Sequence, residues 1–229
     1  MKHLPYEIDE KNNRSAYYEN LWKRNGLALL LKHCPSNGKN LLDYGSGRGE
    51  CLSYASKAGF KVQGTDIDPE CVKLSSRYGM ACQLNPSNPL EQFGPKSFDV
   101  VTCFHVLEHV DNPKQTLTAL AKISRQYVVL AVPNLRYLHR TFRRKINLTE
   151  CNEGHLQSWD HWHLLNLAER HCGLKLVEWG TDATVLPFVS NWSQKLLGTK
   201  MTMRLETGPF RKLFPYHGVS VLGLFSPIK

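Results

Sequence analysis

Three glycines, Gly45, Gly47 and Gly49, directly follow an apolar run that closes on Leu41-Leu42-Asp43-Tyr44. A second such run closes on Gly64-Thr65-Asp66-Ile67-Asp68, about twenty residues further on. Strand, glycine turn, helix, strand and terminal carboxylate, in this order, describe a Rossmann-like βαβ unit that holds a nucleoside-bearing cofactor. Glycines allow the tight turn and let a ligand approach bare backbone. An acid ending the second strand can accept protons from both ribose hydroxyls. The plain alternative is an ordinary strand–turn–helix with no ligand.

The order of the glycines bears on the ligand's charge. A dinucleotide site needs G-x-G-x-x-G with a helix N-terminus facing the pyrophosphate, whereas these glycines alternate as G-x-G-x-G behind Asp43. A carboxylate there repels pyrophosphate and suits an ammonium or sulfonium cation. The segment resembles motif I of the class I S-adenosylmethionine-dependent methyltransferases. That resemblance implies that Asp43, Tyr44, Gly45, Ser46, Gly47 and Gly49 line the methionine end of S-adenosyl-L-methionine, with Asp66 on its ribose. Ile67 would form an apolar shelf over the adenine, and Asn85 or Asn88 would meet the exocyclic amine.

A chain of 229 residues, 41% apolar and 21% charged, is sized for one soluble domain over residues 1–229. It has no apolar span of transmembrane length, and Met1-Lys2-His3-Leu4-Pro5-Tyr6-Glu7 lacks the apolar block of a secretory signal. Seven scattered cysteines without a C-x-x-C pair read as free thiols in a reducing cytoplasm. The net charge of +9 gathers in Arg136, Arg140, Arg143, Arg144 and Lys145, and again in Lys195, Lys200, Arg204, Arg211 and Lys212. Solvated faces would account for it. So would an anionic acceptor, peripheral contact with an anionic membrane, or nucleic acid.

Helical and extended patterns alternate as a doubly wound sheet requires. Residues 14–33 carry a helical stripe of Tyr17, Leu21, Leu27, Leu30 and Leu31, and strands are expected at 39–44, 61–65, 80–84, 98–104, 126–132, 174–179 and 219–225. Helices are expected at 48–58, 69–78, 113–124 and 158–171, the last capped by Ser158, while prolines make 85–89 a loop. The expected fold is α/β: a Rossmann-like, mostly parallel seven-stranded sheet with helices on both faces. By the resemblance, its last strand is antiparallel and lies at the end of the sheet. A helical cap at 181–218 precedes that strand. Residues 14–33 would be a lid helix, 39–135 the cofactor-binding half and 136–229 the substrate-binding half.

A second segment, Ser97-Phe98-Asp99-Val100-Val101 through Val106-Leu107-Glu108-His109-Val110 and Asn112-Pro113, resembles the fourth strand and following turn of small-molecule methyltransferases. The resemblance thus covers roughly residues 40–135, with Phe104 and His105 completing the cofactor wall. His105, Glu108 and His109 lie at i, i+3 and i+4, one face of a helical turn. H-x-x-E-H also occurs in inverted zinc peptidases, but this one ends a buried strand instead of occupying a long helix. The ubiquinone-biosynthesis O-methyltransferases carry E-x-x-E-H at this turn, with a divalent metal. His105 replaces the first glutamate, and imidazole is a softer donor that suits a magnesium-type site poorly. No metal is therefore assigned; His105, Glu108 and His109 are the set such an ion would use, and a structural brace is the alternative.

Methylation of oxygen needs in-line alignment, exclusion of water and usually a base, for which neutral histidine suits pH 7. The candidates are His105, His109 and His155, then His163. His155 lies in Glu153-Gly154-His155-Leu156-Gln157-Ser158, similar to an E-H-L-H-x-F-S stretch of the superfamily, with Gly154 intervening and Gln157 replacing the second histidine. By the resemblance, Tyr17, Tyr18 and Trp22 would close over the cofactor; ordinary core packing at amphipathic spacing is the alternative. Three functions fit. One is an O-methyltransferase of a small, glycan, phosphorylated or lipid-linked acceptor. Another is a nucleic-acid methyltransferase, against which stands the lack of an N-P-P-[YF] tetrapeptide or RNA-binding domain. The third is a non-catalytic cofactor-binding regulator.

Overall fold

The computed structural model describes Tyr18 and residues 20–138 and 152–228. Its strands are β1 (Asn40–Tyr44), β2 (Lys61–Asp66), β3 (Met80–Gln83), β4 (Phe98–Phe104), β5 (Ser124–Pro133), β6 (Leu174–Thr181) and β7 (Ser220–Pro227). Between them run α1 (Leu21–His33), α2 (Glu50–Lys57), α3 (Pro69–Ser75), α4 (Pro89–Phe93), α5 (Pro113–Ile123), α6 (His161–His171), α7 (Val189–Thr207) and α8 (Pro209–Leu213). Tyr17, Arg140, Arg143, Arg144 and Lys145, and the start of the expected lid helix, lie outside the described residues.

The strands form one sheet in the order β3-β2-β1-β4-β5-β7-β6. β7 alone runs antiparallel, to both β5 and β6. It is not at the end of the sheet, as expected, but slotted between those two strands. Burial explains the place: Ser220 to Phe225 are all buried, so the segment needs a neighbour on each edge, whereas β6 exposes Lys175 and Val177 and tolerates the rim. Successive residues of β1 feed opposite faces. Leu42 joins Leu107, Leu117, Leu120 and Leu164 against α5 and α6. Leu41 joins Leu27, Leu30, Ala55 and Val129 against α1 and α2.

Side chains and prolines end and start these helices. Asp68 and Asn112 accept backbone N–H groups at the heads of α3 and α5, each followed by proline at the first position, where no N–H is needed. The same device makes Asn88-Pro89 start α4, so only the front of the expected 85–89 loop is loop. α6 is capped by Asp160, which accepts the His163 N–H at 2.9 Å, and not by Ser158. Chain order reverses between β1 and β4, so a crevice opens at their carboxyl ends. The glycine turn and the His105–His109 turn both emerge there.

Candidate active site

The turn after β1 is tied down before any ligand arrives. Gly45 and Ser46 N–H both donate to the Thr65 carbonyl, at 2.8 and 2.9 Å. Gly47 N–H donates to Asp66 Oδ2 at 2.8 Å, and Asp68 N–H donates to Oδ1 at 3.0 Å. Gly47 has a φ of +52°, and a Cβ there would meet nothing within 4 Å. Above it lies a cavity of about 640 Å³, the volume of a cofactor site. Tyr44, Gly45, Gly47, Asp66, Ile67, Phe104, His105 and His109 line it, joined by Trp22 of α1 and Leu84 after β3.

Asp43 sits beneath this floor, 2% exposed, and accepts the Thr102 hydroxyl at 2.6 Å. Burial raises its pKa to about 6, partly offset by the Thr102 hydrogen bond and by Lys23. Lys23 also pairs with Glu50 at 2.8 Å. Such a carboxylate at pH 7 is an anion held under the turn, and it would be stabilised further by a ligand cation.

At the end of β4, His105 has a φ of +56°, in the left-handed region that L side chains rarely adopt. Its ring stacks on Trp22 with centroids 4.4 Å apart, and Nε2 lies 3.1 Å from Ser220 Oγ. Burial first, and Lys23 next, push its pKa down to about 3, so the ring is neutral. Glu108 is fully buried, its pKa pushed up to about 7 by burial. Neither of its carboxylate oxygens makes a hydrogen bond among the described residues; Oε1 lies 3.5 Å from His105 Nδ1.

The Glu108 carbonyl accepts Leu156 and Gln157 N–H at 2.8 and 3.1 Å, which brings residues 152–157 to the site. There, His109 Nδ1 lies 2.8 Å from the Gly154 carbonyl oxygen. A carbonyl only accepts, so Nδ1 carries the proton and Nε2 the lone pair in the neutral ring. His155 packs edge-on against His109, centroids 4.8 Å apart.

Ligand atoms of Glu108, His109 and His155 lie within 4.8 Å of one another. This donor set contains His155 where the sequence pointed to His105, which keeps Nδ1 3.5 Å from Glu108 but directs Nε2 to Ser220. Two imidazoles and a carboxylate suit a borderline transition-metal ion better than magnesium.

Other expected residues sit away from the cavity wall. Ser46 is buried, and Gly49, at φ +88°, starts α2 against Ser75. The Asn85 side chain accepts Ser87 N–H, Asn88 caps α4, and His163 Nδ1 contacts Asp160 at 2.7 Å. Pro86 and Ser87 reach the wall in place of Asn85. The sequence reading missed Lys23, Asp111, Asn112, Gln115 and Thr116, all in the wall. The Asn112-Pro113 cap at the carboxyl edge of β4 was a signal for the last three; Lys23 had none, since its place depends on how α1 crosses the sheet.

Residues 14–178 match a family described as Methyltransferase domain. The chain belongs to that family. The chain is 32% identical over 99 residues to a ubiquinone biosynthesis O-methyltransferase of Azoarcus sp., a match covering 41% of this chain and 42% of that protein. A protein of the same description from Idiomarina loihiensis is 34% identical over 91 residues, 37% of each chain. The matched segments thus span about two fifths of these relatives. Among solved structures, the complex of the Haloferax volcanii Trm112 methyltransferase activator with a methyltransferase gives a TM-score of 0.66 at 18% identity, covering 94% of this chain and 93% of that one. Magnesium protoporphyrin IX methyltransferase of Synechocystis with bound S-adenosylhomocysteine gives 0.64 at 15%, covering 99% and 90%. These neighbours share the fold, and an open glycine cradle beside a carboxylate has the shape and charge to hold a nucleoside-bearing cofactor.

Proposed function

We propose that this methyltransferase methylates a hydroxyl oxygen of a small, glycan, phosphorylated or lipid-linked acceptor, with His109 as the general base. The hydrogen bond from His109 to Gly154 carries the reading. It fixes the ring and its tautomer, so that Nε2 is the atom able to take a proton in the cavity wall. His105 is less suited, because its burial makes it reluctant to accept a proton at neutral pH. His155 supports His109 from the edge. The relatives described as O-methyltransferases support an oxygen acceptor.

S-Adenosylmethionine supplies an electrophilic methyl group on a sulfonium. Gly45 and Gly47 would give it backbone to lie on, Asp43 a buried negative charge at its methionine end, and Asp66 an acceptor for its ribose. Ile67 and Leu84 would flank the adenine, while Trp22 stacked on His105 would roof the reacting end and exclude water. In this reading residues 1–229 form one domain, α1 acts as lid and the 181–218 connection as cap. The described cysteines are free thiols, in keeping with a cytoplasmic enzyme.

The test is transfer of labelled methyl from S-adenosylmethionine to a panel of hydroxylated glycans, phosphometabolites and lipid-linked sugars. His109→Gln should lower kcat by about a hundredfold or more with cofactor affinity intact. Equal turnover would remove His109 as the base, and label found on nucleic acid alone would overturn the acceptor class.

A further inference from the structure

Helix α7 is folded inside out. Its buried positions are Ser190, Ser193, Thr202 and Glu206, with Met203 the one apolar residue among them. Ser193 Oγ lies 2.6 Å from Thr202 Oγ1 across the break at Gly198, Ser190 Oγ accepts the Leu186 N–H, and the Glu206 carboxylate accepts the Tyr18 hydroxyl. The first two bonds are internal to residues 186–202; the third, with the Thr184 N–H on the Glu206 carbonyl at 3.0 Å, ties the far end of α7 back to the body. The opposite side carries Trp192 and Leu196 at i and i+4, which are 65% and 60% exposed, with Val189 at i−3 and 45% exposed. Large apolar side chains this exposed on one helix face mark a surface made for a partner.

The charges of the same segment point to the partner's chemistry. Between Ala183 and Gly218 the chain carries Lys195, Lys200, Arg204, Arg211 and Lys212 against a single acid, Glu206, which is buried. Protein–protein interfaces are depleted in lysine. A helix that lies in a membrane interface has this very composition, with tryptophan and leucine on one face, accompanied by lysine and arginine. Among the described residues no helix is long and apolar enough to cross a bilayer. We propose that α7, with α8 beside it, docks on an anionic lipid bilayer, its apolar stripe sunk among the headgroups and its cations against lipid phosphates. Glu206 binds Tyr18, four residues before Trp22 in the cavity wall, so the docked helix is braced against the site. The surface stands whether or not His109 is the base.

Full-length protein is sedimented with phosphatidylcholine vesicles, with and without phosphatidylglycerol. Wild-type protein should pellet with the anionic vesicles alone and be released by added salt. Trp192→Glu combined with Leu196→Glu should lower partitioning at least about tenfold, and Lys195→Gln and Lys200→Gln roughly fivefold each. Cofactor affinity and thermal midpoint unchanged from wild type would show that the variants fold. The proposal is overturned by wild-type protein that stays in solution beside anionic vesicles, or by folded variants that pellet like wild type. It is equally overturned by a lipid-free dimer that the double variant makes monomeric, which would put a second copy of the chain on this face.

Discussion

His109 and Gly154 meet across 45 residues of chain, ring nitrogen to carbonyl oxygen at 2.8 Å. A methyl group at position 154 would stand 2.9 Å from that nitrogen, so the ring would have to move. Gly154→Ala should therefore lower kcat roughly tenfold to a hundredfold, the cost of displacing a reacting group by a fraction of an ångström. Its affinity for S-adenosylmethionine by calorimetry should not change. Wild-type turnover in this variant would show that the ring's position does not matter.

Asp66 accepts two backbone N–H groups yet keeps lone pairs toward the cavity. Asp66→Ala should weaken cofactor binding by about 2–3 kcal/mol, the loss of two charge-assisted hydrogen bonds. An unchanged dissociation constant would remove the ribose assignment.

Asp43 links cofactor affinity to pH. Burial holds its pKa near 6, above the ordinary carboxylate value, and a bound cation would favour the ionised form. Affinity for S-adenosylmethionine should thus improve as pH rises from 5 to 7, with proton release on binding at pH 6. Asp43→Asn should bind more weakly and lose this dependence. A flat profile in the wild type would place the sulfonium and ammonium elsewhere.

His161, at the head of α6, makes the fold sensitive to acid. It is 8% exposed, neither ring nitrogen has a hydrogen-bond partner among the described residues, and Trp179 lies edge-on with its ring centroid 4.3 Å away. Burial pushes its pKa down to about 4. The unfolded chain then binds more protons than the native one below the ordinary histidine pKa, so stability falls as pH drops from about 6.5 to 4. The loss amounts to up to about 3 kcal/mol. His161→Phe should flatten the thermal midpoint over that window; an unaltered slope would assign the acid sensitivity to another group.

The strand–glycine–acid pattern needed only local rules to read. Apolar runs, alternating glycines and an acid at each strand end stand in sequence at the spacing of a βαβ unit, so β1, β2, the turn and the Asp66 position were legible. β7 was legible as a strand but not in its place, because the order of strands depends on which edges need cover. Asp160 displaced Ser158 as a cap for a local reason that two residues of offset conceal.

The chemistry of the site divides in the same way. Residue types and short-range spacing, which act through backbone geometry and charge, determined by themselves that a cationic nucleoside cofactor suits this chain. Only the tertiary structure decided which histidine faces which partner. The Glu108 carbonyl draws in residues 152–157, the Gly154 carbonyl sets the tautomer of His109, and Trp22 with Ser220 holds the ring of His105. Those contacts join segments far apart in the chain, and a hydrogen bond specifies a role only once packing has brought its two ends together.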